Sequence, residues 1–111
     1  MTEIHTIESL ATLDELLETS RQKPVWVFKH SLTCGISSFA WTEFRRFAEQ
    51  SPAEGTVYAV IEVQNARAVS TALAERIGVR HQTPQAILLR DAQAAWHASH
   101  YEIRMQALKK A

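Results

Sequence analysis

Apolar residues recur along this chain with two different periods. Over residues 6–22, Ile7, Leu10, Leu13, Leu16 and Leu17 stand three or four apart, the spacing of one helix face. Ser9 or Thr12 is a candidate N-cap, Asp14 and Glu15 suit an early turn, and Pro24 stops any helix before it. Val25-Trp26-Val27-Phe28 has no polar alternation and predicts a strand buried on both faces. A loop follows, then a helix over 34–50. Its apolar face carries Ile36, Phe39, Ala40, Phe44 and Phe47, with Glu43, Arg45, Arg46 and Glu49 opposite. Pro52 and Gly55 punctuate its end.

The second half repeats this grammar. Residues 57–63 predict another buried strand, and Asn65 a cap for a helix over 66–77 with Val69, Leu73 and Ile77 on one face. Gly78 fits the C-terminal cap. A loop over 79–84 leads to a strand over 85–90, a turn at Asp91-Ala92 and a strand over 93–98, a hairpin. A helix over 100–110 closes the chain. The order α-β-α-β-α-β-β-α implies a parallel strand pair with a right-handed crossover, then an antiparallel pair. No internal repeat, low-complexity stretch or linker divides the 111 residues, a length that fits one domain.

Composition narrows the function classes. Apolar residues make up 46%, enough for a packed core. The formal net charge is zero and no Lys/Arg block occurs, which argues against nucleic acid or an acidic membrane surface as partner. Met1-Thr2-Glu3-Ile4-His5 lacks the pattern of a signal peptide, and no apolar run is long enough to span a bilayer. The single cysteine allows no internal disulfide and suits a reducing compartment, here expected to be the cytoplasm. Phosphate-loop, dinucleotide and serine-hydrolase motifs are missing. The histidines, His5, His30, His81, His97 and His100, show no convincing metal spacing. Trp26, Trp41 and Trp96 suit core or rim positions.

That leaves Cys34. It stands where the first apolar strand gives way to an amphipathic helix. Orphan backbone N–H groups and the positive end of the helix dipole favour thiolate over thiol at that position. The alternative is a small buried hydrophobe.

Two features carry a resemblance. Cys34 follows the first core strand and opens a helix. Thr83-Pro84 opens the third core strand far along the chain. Without its first helix, the element order resembles the thioredoxin-like core, in which such a proline is cis and lies beside the reactive cysteine. The loop Phe28-Lys29-His30-Ser31-Leu32-Thr33-Cys34-Gly35-Ile36-Ser37 is similar to the F-K-H-S-x-x-C-P-I-S pattern of the monothiol bacilliredoxins, with Gly35 in place of the usual proline. Arg80-His81-Gln82-Thr83-Pro84-Gln85 and Ala95-Trp96-His97-Ala98-Ser99-His100 resemble that family's second half. Gly35 also makes Cys34-Gly35-Ile36-Ser37 similar to the C-G-F-S loop of monothiol glutaredoxins. Their Gly-Gly pair after the third and fourth strands has no counterpart in 91–100.

The resemblance implies an α/β thioredoxin-like fold, a four-stranded mixed sheet flanked by helices with an extra N-terminal helix. It implies a thiol–disulfide oxidoreductase in which Cys34 takes bacillithiol, or another low-molecular-weight thiol, off S-thiolated target proteins. No cofactor is bound in that scheme, and bacillithiol is a co-substrate. Thr33, Gly35, Ile36, Ser37, Thr83 and Pro84 would line the substrate site. Ser37 holds the place of a resolving cysteine. It would either donate a hydrogen bond to the thiolate or satisfy first-turn backbone. Thr33 is a candidate helix cap, and Gly35 lets a substrate approach closely. Lys29 or His30 would either supply a cation near Cys34 or point away, and His81 lies near the Thr-Pro loop. Two further readings stay open: an iron–sulfur carrier like the C-G-F-S glutaredoxins, and a non-catalytic binding module with a vestigial cysteine.

Overall fold

A computed structural model describes residues 3–50 and 55–111. Pro52, expected to help end the second helix, lies outside the described residues. The elements are β1 (Ile4–Thr6), α1 (Leu10–Thr19), β2 (Val25–His30), α2 (Gly35–Gln50), β3 (Val57–Glu62), α3 (Arg67–Ile77), β4 (Gln85–Arg90), β5 (Gln93–Ser99), a 3-10 turn (His100–Glu102) and α4 (Met105–Lys110). They form one five-stranded sheet in the order β1-β3-β2-β4-β5. β3 pairs in parallel with β1 and β2, and β4 pairs antiparallel with β2 and β5.

β2 sits at the centre because its residues are apolar on both faces. Trp26 and Phe28 pack with Phe44, Phe47, Tyr58, Leu88, Ile103 and Leu108, the core beneath α2 and α4. Val25 and Val27 pack with Leu13, Leu17, Ile61, Val69, Leu73 and Ile87, the core beneath α1 and α3. The strict alternation of a strand sends neighbouring residues to opposite cores. This decides the fate of the last two residues of β2, as described below.

Several expectations change. The sheet has five strands, because Ile4-His5-Thr6 adds to the free edge of β3. Three residues are too few to show a period, so this strand is absent from the local pattern. α1 starts later than expected, capped by Ser9, whose hydroxyl accepts the Thr12 N–H at 3.2 Å. Asn65 does not cap α3; its amide donates to Glu62, and Ala66 takes the cap position without a side-chain bond. Gly78 does close α3 in the left-handed conformation, at φ 67°. The expected final helix is split. Ile103 turns inward to full burial, and α4 restarts with its Met105 N–H donating to Glu43 Oε1 of α2 at 3.2 Å.

Candidate active site around Cys34

The ladder between β2 and β4 ends with Lys29 opposite Gln85. One step further on each strand are His30 and Pro84. The Cys34 loop therefore begins where the Thr83–Pro84 segment ends, and the Thr83–Pro84 peptide bond is cis. Cys34 is the half-buried residue just before α2, and its carbonyl accepts the Ser38 N–H at 3.1 Å. It thus takes the N-cap position. The backbone N–H groups of Gly35, Ile36 and Ser37 make no hydrogen bond among the described residues. Three orphan donors at a helix start favour negative charge there. Nothing lies within 4 Å of a Cβ built on Gly35, so the chain itself leaves that approach open.

Ser37 turns its hydroxyl toward the end of β2. It is fully buried, its Oγ accepts the Ser31 N–H at 2.8 Å, and it lies 2.7 Å from His30 Nδ1. One hydroxyl pins the first turn of α2 to the end of β2, and none of its bonds goes to Cys34. His30 stacks on Trp41, ring centroids 5.4 Å apart and 22° between planes. Burial pulls His30 below the usual histidine range, with Glu62 acting in the opposite sense. Its ring packs between Phe28 of β2 and Trp41 of α2.

Lys29 and His30 are not loop residues but the end of β2, and alternation turns them to opposite faces. Lys29 has no exposed surface. Its Nζ donates to the Ser70 carbonyl of α3 at 3.0 Å and lies 3.1 Å from His81 Nδ1. It faces α3, away from the α2 side. Burial without a carboxylate partner pushes its pKa down to about 8. His81 also lies 3.2 Å from Ser70 Oγ through Nδ1, and its Nε2 is 3.1 Å from Thr83 Oγ1. Burial, then Lys29, then Arg67, lower its pKa. A polar chain thus runs from the buried ammonium through His81 to the residue before the cis proline.

Gln64 escaped the sequence reading. It follows β3 in a turn, with no local mark of a site residue. Its Oε1 accepts the Leu32 N–H at 3.1 Å, and its Nε2 donates to Ser31 Oγ at 2.9 Å and Thr33 Oγ1 at 3.3 Å. The Thr33 hydroxyl, expected to cap the helix, is used here instead. Gln64→Ala is expected to cost about 1 kcal/mol in urea unfolding and to speed amide exchange at Leu32. Unchanged Leu32 protection would contradict this role.

Two large apolar side chains close to Cys34 in sequence are exposed, among polar neighbours Thr33 and Ser38. Leu32 is 48% exposed and Phe39 45%, with the Arg104 guanidinium 5.0 Å from the Phe39 ring centre. Among the described residues no group of three or more His, Cys, Asp or Glu side chains is placed to hold a metal ion. No helix among them is long and apolar enough to cross a membrane.

The architecture has many solved counterparts. One protein described as having a thioredoxin fold matches with a TM-score of 0.85 at 26% identity, over 96% of this chain and 91% of its own. Thioredoxin from Fasciola hepatica matches with a TM-score of 0.73 at 15% identity, over 96% and 94%. Thioredoxin from Trypanosoma brucei brucei gives 0.73 at 14% identity, over 97% and 89%. These distant likenesses establish the thioredoxin-like fold. The model of the family described as monothiol bacilliredoxin BrxC matches residues 5–108. That span holds the Cys34 loop, Gln64, His81 and the Thr83–Pro84 segment together. With the sheet order and a lone thiol at the start of α2, it shows that the chain belongs to the monothiol bacilliredoxin family.

Proposed function

We propose that Cys34 removes bacillithiol from S-thiolated proteins by a single-thiol cycle. Family membership makes the chain a thiol–disulfide oxidoreductase linked to bacillithiol. The observation that carries the reading to this residue is the position of Cys34: half-buried, at a helix start with three unpartnered N–H groups. Its thiolate attacks the bacillithiol sulfur of the mixed disulfide. The S–S bond to the target breaks, and the target sulfur leaves with the electron pair and takes a proton from water. Cys34 now carries bacillithiol. With one cysteine in 111 residues, no internal thiol can resolve it. A second small thiol attacks the bacillithiol sulfur, leaves with it as a disulfide, and returns Cys34 to thiolate.

The remaining site residues receive roles in the same scheme. Gly35 and Ile36 offer N–H groups and an open approach. Ser37 and Thr33 hold the loop through His30, Ser31 and Gln64. The backbone N–H and C=O of Thr83 are unpartnered among the described residues, while the Pro84 carbonyl accepts from His100. An extended target segment can add to Thr83 as a short strand. Leu32 and Phe39 supply apolar contact with a protein partner. A lone, half-buried thiol of this kind suits a reducing compartment, and we place the protein in the cytoplasm on that ground.

Intact-mass spectrometry after incubation with bacillithiol disulfide tests the reading. One bacillithiol adduct on Cys34, discharged by free bacillithiol, is expected. No adduct, or an adduct on glutathione disulfide alone, sinks the bacillithiol assignment.

A further inference from the structure

The 3-10 turn after β5 joins the two halves of the site. His100 donates its backbone N–H to the Pro84 carbonyl at 3.1 Å, next to the cis peptide bond. The chain then crosses to α2, where the Arg104 guanidinium lies over the Phe39 ring, 5.0 Å from its centre. Residues 100–104 thus bridge the cis-proline segment and the helix that Cys34 opens. Phe39 stands one turn beyond Gly35 on the same helix face. Helical side chains lean toward the N-terminus, so the ring reaches back toward the turn that begins at Gly35. It stands beside that turn and not over it, because a Cβ built on Gly35 meets no atom within 4 Å. The Arg104 cation therefore belongs to the rim of the open approach to α2.

Arg104 is held but unspent. Its Nε donates to the Tyr101 carbonyl at 3.2 Å, and the Phe39 ring supports its face. Its terminal nitrogens make no hydrogen bond, and it has no ion pair, among the described residues. The nearby carboxylates are engaged elsewhere. Glu43, in the same α2–α4 groove, takes the Met105 N–H and pairs with Arg46, and Glu102 turns back to the Ser99 N–H. A guanidinium fixed through Nε and one face presents its outer N–H pair as a fork that fits a carboxylate. Five residues of helix put Phe39 roughly 7.5 Å along the axis from Cys34. The cation beyond it stands on the order of 10 Å from the sulfur, the span of about three linked units of a small molecule.

We infer that Arg104, on its Phe39 platform, is a specificity residue that clamps a carboxylate at the end of the small thiol remote from its sulfur. This rests on exchange with bacillithiol at Cys34 and names the part of that molecule that is recognised. Bacillithiol joins cysteine, glucosamine and malate, so its sulfur and its carboxylates stand at opposite ends of three units. With its sulfur at Cys34, the malate reaches Arg104 and the sugar crosses the open ground at Gly35. The clamp makes the same contact before and during sulfur attack, so it lowers KM and leaves the bond exchange as described.

Exchange with bacillithiol disulfide and with cysteinyl-glucosamine disulfide, which lacks only the malate, tests the clamp. Intact mass follows the adduct on Cys34. The wild type is expected to react about tenfold more efficiently with the malate-bearing disulfide, the worth of one charge-assisted pair. In Arg104→Gln that ratio should fall to near one through a raised KM, and Phe39→Leu should lose part of it. Arg104→Lys should recover little, because an ammonium lacks the fork. Arg46→Gln removes the same charge from the same groove and should keep the wild-type ratio. In every variant, reaction with the truncated disulfide reports that thiol and fold are intact. Equal wild-type rates with both disulfides, a ratio that survives Arg104→Gln, or one that Arg46→Gln collapses as far, overturns the clamp and leaves exchange at Cys34 standing. A wild-type protein that takes an adduct from neither disulfide overturns the proposed function and the clamp with it.

Discussion

Cys34→Ser is expected to lower thiol–disulfide exchange to the uncatalysed rate while leaving the fold intact. The two halves of this result have separate causes. Exchange needs a sulfur nucleophile, and the 111 residues hold one cysteine. A serine hydroxyl is not ionised near neutral pH and forms no disulfide. The fold is spared because Cys34 is only half-buried and sits at the N-cap of α2, with its carbonyl in the first helical hydrogen bond. Serine is favoured at that position, so thermal unfolding should be unchanged or slightly later. The measurements are reduction of a bacillithiolated model protein and a thermal melt on the same sample. Residual turnover at a measurable fraction of wild type would place the chemistry elsewhere. A collapsed melting transition would make Cys34 structural.

Stability is expected to rise by about 2 kcal/mol as pH climbs from about 8 to about 10.5, and Lys29→Met is expected to flatten that rise. Burial lowers the Lys29 pKa from the usual 10.5 to about 8 in the folded chain. Between those values the unfolded chain binds the proton and the folded chain does not. Stability therefore increases with pH in that window, is complete above the unfolded value, and falls as pH drops through the folded one. Below about 8 both states are charged, and the folded state carries the desolvation cost in full. Methionine fills similar volume without charge, so the variant should be the more stable protein near neutral pH. Its cost is small, because the Ser70 carbonyl keeps its place in α3 and His81 reaches solvent. Urea unfolding of both proteins across pH 7 to 11 reads the difference. Parallel profiles for the two would show that Lys29 does not titrate as its burial requires.

These two residues sit on consecutive parts of one segment yet differ in how much of their role the sequence carried. Cys34 stands at a strand-to-helix boundary, and the boundary is written in local periodicity. Lys29 is five residues earlier in the same loop motif, and its sequence context left it between a cation for the thiol and a residue pointing away. The outcome depends on which face of β2 meets α3, a matter of alternation counted from a buried strand whose length had to be known. The strand extends to His30, and two further residues enter the core region instead of the loop.

By itself, the sequence determined the elements whose causes are local. The buried run of β2, the amphipathic period of α2, the Gly78 cap of α3 and the bounds of β4 all follow from side-chain spacing and backbone preference within one stretch. So does the chemical identity of the site: one thiol, no resolving cysteine at Ser37, and a Thr83-Pro84 pair before β4. Only the tertiary structure decided the contacts between stretches. The β1 edge strand exists because β3 has a free edge for it. Gln64 becomes a loop clamp because the β2–β3 register brings it to residues 31 to 33 positions away. Lys29 and His81 are 52 residues apart and meet only after β2, α3 and β4 are assembled. Spacing along a chain encodes what a segment can form. Which polar groups then face one another is settled by packing, where a one-residue change of register would turn each side chain to the other face.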